Sequence, residues 1–237
     1  MSTPARSRPM DQAVVVARKK EDVLVGEEIV RHRLSSRVIH WTAGVTFFLS
    51  VFTGMPIWTP FFGWMAPLVG GLTVCRVVHP WAGIAFFISS IFMFFDWVGD
   101  MHLGKKERKG WWGPKLFRYL RWEVEDVDTG KYNGGQKFFF WSVGLGSLGL
   151  LLSGLMMWFP RSFPHLLMEF AYVIHDVTFI LFAVAIVFHI YLGTSAEPGT
   201  FRSMTRGTVT RKWARLHHPA WYREVTGEKH PHHPHSS

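Results

Sequence analysis

The chain has 237 residues, of which 48% are hydrophobic, 16% aromatic and 18% charged. Its apolar residues fall in long blocks with nearly all the charge between them, which excludes an ordinary soluble core. The one cysteine, Cys75, excludes an internal disulfide framework and leaves cysteine-held zinc or iron–sulfur sites unsupported. The net charge of +9 flanks the apolar blocks, so anionic lipid headgroups, not nucleic acid, are its expected counterpart.

In chain order, residues 1–30 read as a polar, mobile cytoplasmic extension. Their apolar run, 13–17, is too short for a signal-peptide core and leads into Arg18-Lys19-Lys20. Apolar blocks follow at about 38–58, 77–98, 138–159 and 166–192, each near the roughly 20 residues that cross a bilayer as a helix. Residues 61–75 are apolar too. They are shorter and interrupted by Pro67 and Gly70-Gly71, and they read as an interfacial or re-entrant loop. Residues 111–122, mixing Leu116, Phe117 and Tyr119 with Lys and Arg, are expected to lie flat on the membrane surface. The histidine-rich end, 226–237, reads as a solvated tail. The expected fold is an all-α integral membrane protein whose membrane domain, 31–225, is a four-helix transmembrane bundle.

Charge sets the orientation. Of 26 Lys and Arg, 24 lie in 1–40, 98–137 and 193–237, and the other two, Arg76 and Arg161, lie in the remaining connections. Four crossings put the three basic segments on one side, which the positive-inside rule makes cytoplasmic, with both termini there.

Four of the 13 histidines fall within the blocks: His40, His79, His175 and His189. Ionisable groups at such positions are costly and face a protein interior. His40 opens the first block and His189 closes the fourth, near the basic side. His79 opens the second and His175 lies early in the fourth, near the opposite side. His175 and His189 are 14 residues apart. On a helix that is about 40° short of four turns, with a rise of about 21 Å, so both project from nearly one face. Two b-type haems stacked across a bilayer need this arrangement, each iron held by imidazoles from facing helices. A histidine-containing metal-ion transporter, or a haem-free anchor with packing histidines, would use the same positions. A transporter would more often add acidic groups, whereas Asp96, Glu169 and Asp176 form no obvious cluster. Gly44 and Gly83, each four residues after a histidine, and Gly144, Gly146, Gly149 and Gly154 suit a large flat cofactor or ordinary small-residue packing.

Further motifs are Arg37-Val-Ile-His40-Trp41, Val78-His79-Pro80, Gly130-Lys-Tyr-Asn133-Gly-Gly-Gln136-Lys137 and the basic stretch from Arg211 through His217-His218-Pro219-Ala-Trp221-Tyr222 to Glu224. With these the chain, from about 31 to 225, resembles the cytochrome b (gamma) subunit of membrane-bound respiratory formate dehydrogenases. The histidines alone would also fit the related cytochromes b of membrane-bound nickel–iron hydrogenases. The resemblance implies two haem b groups, one on His40 and His189 and one on His79 and His175. It also implies a menaquinone or ubiquinone site at Asn133, Gly135 and Gln136, with His189 close by. Its implied partners are an iron–sulfur beta subunit and a molybdenum or tungsten alpha subunit that oxidises formate, so no catalytic residue is expected here. The location implied is the bacterial inner membrane, with electrons passing from the outer side to quinone near the cytoplasm.

Overall fold

The computed structural model describes residues 9–102 and 128–228. Residues 111–122, expected on the membrane surface, and the histidine-rich end from 229 lie outside them. The described chain runs α1 (Pro9–Val16), β1 (Val23–Val25), β2 (Glu28–Val30), α2 (Leu34–Trp58), α3 (Leu72–Trp97), α4 (Gly134–Trp158), α5 (His165–Tyr191), α6 (Thr200–Thr205), β3 (Thr208–Thr210), α7 (Arg211–His217) and α8 (Pro219–Thr226). It divides into two compact units. One comprises residues 9–37, 100–102, 128–138 and 192–228, and the other Val38–Gly99 and Phe139–Tyr191. Residues 31–225, expected as one membrane domain, are divided between these two units.

The second unit is the bundle. Helices α2, α3, α4 and α5 are each long and apolar enough to cross a bilayer. The fifth apolar stretch forms a 3-10 helix, Pro60–Val69, only 10 residues long. Thr59 caps it by accepting from the Phe61 amide, and Gly70, at φ +97°, ends it. Helix α3 begins at Leu72, so Cys75 and Arg76 sit in its first turns and not in a loop. Hydroxyls within the bundle turn back on their own helices: Thr42 donates to the Val38 carbonyl, Thr46 to Thr42, Ser50 to Thr46, Ser89 to Ala85 and Ser90 to Phe86, all at 2.8–2.9 Å. Without water, such internal bonds are what keep these groups tolerable. The centre is a hydrophobic layer with one member from each helix, the rings of Phe47, Phe86 and Phe182 and the aliphatic Val143.

The first unit overturns the expectation of a mobile extension over residues 9–30. Strands β1 and β2 form a hairpin whose turn has Gly26, at φ +61°, at its first central position. Strand β3 pairs with β2 from about 180 residues away, Ile29 opposite Val209. Ala13, Ala17, Ile29 and Val30 are buried, and Ile29 packs with Val209, Trp213, Ala214, Trp221 and Tyr222. The short apolar runs, too brief for a span, are what this core requires. The folded part also extends past 226: Gly227 caps α8, and Glu228 accepts from the Tyr222 hydroxyl at 2.7 Å.

Much of the basic charge in this unit is consumed internally. Lys131 meets Asp22 at 2.8 Å, Arg202 meets Glu28 at 2.8 Å, and Arg223 pairs with Asp128. Arg31, 2% exposed, lies against Trp213 (4.8 Å), Trp221 (5.5 Å) and Tyr132 (5.6 Å) and donates to the Lys131 carbonyl. Burial pushes its guanidinium down to about 10. Gly207, at φ +84°, bonds through its carbonyl to the Arg31 amide, and a Cβ there would lie 2.5 Å from the His32 carbonyl oxygen.

Gly207→Ala should lower the unfolding midpoint of the detergent-solubilised chain, the strained backbone and clash costing about 1–3 kcal/mol. Gly63→Ala, which meets nothing within 4 Å, should leave that midpoint unchanged in the same melt. His218 gives a pH prediction. Its Nδ1 proton goes to the Gly130 carbonyl at 2.7 Å, and burial, then the Arg31 charge, pushes the imidazole down to about 2. The unfolded chain, with a histidine at about 6.5, takes up a proton that the folded unit refuses. The stability is therefore complete above that value and declines as pH falls below it. Denaturant midpoints should fall progressively from about pH 6.5 toward pH 2, and His218→Asn should flatten that fall.

Candidate functional site: two imidazole pairs

All four intramembrane histidines lie in the bundle unit. His40 of α2 faces His189 of α5 with ring centroids 5.9 Å apart, and His79 of α3 faces His175 of α5 at 6.1 Å. Helix α5 is unbroken from His165 to Tyr191, so it carries one member of each pair at two depths. His40, Phe47 and Gly54 recur at intervals of seven on α2, His79 and Phe86 on α3, and His175, Phe182 and His189 on α5. Seven residues are nearly two turns, so each series stays on one face. The rings of Phe47, Phe86 and Phe182, 5.4–6.1 Å apart, thus form a layer between the pairs.

Glycines make the room. A Cβ on Gly54 would lie 2.7 Å from His79 Cε1, one on Gly154 3.3 Å from His175 Cε1, and one on Gly146 2.3 Å from Phe182 Cε2. Gly44 and Gly83 instead face open space, with nothing within 4 Å of a Cβ.

The polar surroundings of the pairs differ. His79 Nδ1 lies 3.0 Å from the Ser50 carbonyl oxygen, which can only accept, so Nδ1 carries the proton and Nε2 a free lone pair. His175 Nδ1 lies 3.0 Å from Ser153 Oγ. The Ser153 hydroxyl proton is directed at the Gly149 carbonyl, 2.7 Å away, so toward His175 this oxygen acts as acceptor. His40 Nδ1 is buried without a partner among the described residues. His40 lies edge-on to Trp41 at 5.4 Å, and the His189 ring stacks on Phe139 at 4.6 Å and 8°. Asp176, beside His175, accepts from Trp58 Nε1 at 3.0 Å and so joins α5 to α2.

Asn133 and Gln136 close a reciprocal cap at the start of α4. The Asn133 amide donates to Gln136 Oε1 at 3.0 Å, and the Gln136 amide donates to Asn133 Oδ1 at 2.9 Å. Both side-chain carbonyls are thus committed, which leaves their NH2 groups, with Gly135 between them, as the donors of this turn.

Sequence reasoning missed Ser50, Gly54 and Ser153. For Gly54 the seven-residue recurrence after His40 and Phe47 was an available signal. For the two serines there was none, since which residue meets a ring nitrogen depends on helix rotation.

A bundle of four apolar helices enclosing facing imidazole pairs defines a multi-pass membrane protein of the kind that holds cofactors between its helices. Residues 31–207 match the model of the prokaryotic cytochrome b561 family, and the chain belongs to that family. It is 33% identical over 201 residues to the formate dehydrogenase cytochrome b556 subunit of Haemophilus influenzae, covering 83% of each chain. To the nitrate-inducible formate dehydrogenase cytochrome b556(Fdn) subunit of Escherichia coli it is 34% identical, covering 83% of this chain and 91% of that one. The cytochrome b556(fdo) subunit of the same organism is also 34% identical, with 84% and 94% covered.

A b-type cytochrome binds haem b, and the residues present fit that group. A metal–imidazole bond is about 2 Å long, so two imidazoles sharing one metal would hold their ring centroids about 6 Å apart. Both pairs have this separation, the lone pairs of the His79/His175 couple are free at Nε2, and the open faces at Gly44 and Gly83 offer space for a flat ring system.

Proposed function

We propose that this chain is the dihaem cytochrome b subunit of a membrane-bound formate dehydrogenase, carrying electrons from an iron–sulfur partner across the bacterial inner membrane to quinone. The carrying observation is the two facing imidazole pairs, 5.9 and 6.1 Å between centroids, in a chain 33–34% identical to formate dehydrogenase cytochrome b556 subunits. In this reading His40 and His189 hold one haem and His79 and His175 the other. When bound, haem supplies reversible one-electron transfer. The chain's share is to fix the imidazoles, exclude water from them and orient their protons.

The described parts of the three basic segments, 9–37, 100–102 with 128–137, and 193–228, belong to a single unit, which supports a common side for them. With the positive-inside rule that side is the cytoplasm, and both termini are there. The iron–sulfur subunit and a molybdenum or tungsten subunit then dock outside, at the His79/His175 end. Quinone is taken near the cytoplasmic side, where the NH2 groups of Asn133 and Gln136 and the backbone at Gly135 donate to its oxygens. A hydrogenase cytochrome b would keep the histidines, but the relatives above carry formate dehydrogenase names. A metal-ion transporter has less support, since among the described residues no three His, Cys, Asp or Glu converge.

His189→Ala should purify with about half the haem of the wild type and fail to reduce quinone. A reduced-minus-oxidised spectrum with a haem-to-protein ratio reads this, and full haem content would contradict the ligand assignment. Asn133→Asp keeps the cap acceptor but replaces the NH2 donor with a carboxylate. It should leave haem spectra intact while slowing quinone turnover, and normal turnover in a quinone-coupled assay would remove that residue from the site.

A further inference from the structure

The two pairs are built alike in separation and unlike in what stands behind them. In the His79/His175 pair both rings have an acceptor at Nδ1: the Ser50 carbonyl at 3.0 Å and Ser153 Oγ at 3.0 Å. A second hydroxyl, Thr53 Oγ1, lies 3.5 Å from His79 Nδ1 and sends its own proton to the Leu49 carbonyl at 2.7 Å. In the other pair, His40 Nδ1 is buried and has no partner among the described residues. Its ring neighbours, Trp41, Trp97 and His189, touch it through aromatic faces and edges.

An acceptor at Nδ1 pulls that proton outward and leaves more electron density on Nε2, which makes the imidazole a stronger donor to a metal. Stronger donation stabilises the oxidised metal over the reduced one. Burial amplifies the effect, because a hydrogen bond polarises its partner more in a low-dielectric interior than in water. Ser153 is suited to this: it is 3% exposed, and its own proton is held by Gly149, so its lone pair stays turned to the ring.

We infer that Ser153 is a positioning residue which, with the Ser50 carbonyl, makes His79/His175 the more electron-donating pair, so that the haem held there has the lower midpoint potential of the two. This rests on the ligand reading proposed above. It gives a physical reason for the direction already proposed: one electron at a time moves downhill from the His79/His175 end to the His40/His189 end, the sense that quinone reduction requires. The ordering is set in the resting bundle by hydrogen bonds and needs no conformational change.

The test is a spectroelectrochemical titration of the purified full chain with its haems, in wild type, Ser153→Ala and Ser153→Thr. The wild type should resolve two one-electron components. Ser153→Ala should raise the lower one, leave the higher in place and keep the haem-to-protein ratio. Ser153→Thr, which keeps a hydroxyl, should return the lower component to its wild-type position. An unmoved lower component in Ser153→Ala, or movement of the higher one instead, overturns the inference while leaving the ligand assignment standing. A wild-type chain without b-type absorbance removes the ligand assignment itself, and this inference with it.

Discussion

An imidazole in a hydrocarbon layer carries two nitrogens and, when neutral, one proton, so it needs both an acceptor and an electron-pair acceptor inside the protein. The bundle meets the first need at His79 and His175 with Ser50 and Ser153. The second, in the function proposed above, is met by a haem iron held between the facing rings. Other hydroxyls, such as Thr42, Thr46, Ser89 and Ser90, bond to their own backbone and do not compete for the rings.

An aromatic layer fills the space between the two imidazole pairs. Phe47, Phe86 and Phe182 each lie seven residues from a histidine, so one face of α2, α3 and α5 carries imidazole and phenyl rings in turn. Gly54, Gly146 and Gly154 then act locally, drawing a backbone close enough to receive a ring edge. Small residues in a membrane helix are usually assigned to helix-on-helix contact. Here the group each one meets is a histidine or phenylalanine ring.

The first unit works by a different balance. Its segments precede α2, follow α3, lead into α4 and follow α5, and a three-stranded sheet joins the first of them to the last. Arg31 is enclosed by Trp213, Trp221 and Tyr132, and Asp22 accepts from both Trp221 Nε1 and Lys131 Nζ. Charges that the composition assigns to lipid headgroups are in part internal: Lys131, Arg202 and Arg223 each meet a carboxylate of the same unit.

The sequence by itself determined the four spans, the uneven spread of basic residues among the connections, and where along the spans His40, His79, His175 and His189 fall. Each of these follows from a local rule: the length of an apolar run, the side on which a loop emerges, or the angle between residues of one helix. The tertiary structure alone decided that Ser50 and Ser153 face ring nitrogens, that Gly54 receives His79, and that residues 9–30 fold against Val209, Trp213 and Trp221 instead of trailing as a tail. It also showed that Asn133 and Gln136 cap α4 through their oxygens and keep their NH2 groups free of that cap. These contacts join residues from 3 to about 200 positions apart, and their partners are fixed by helix rotation, strand register and close packing, to which hydrophobic periodicity is blind.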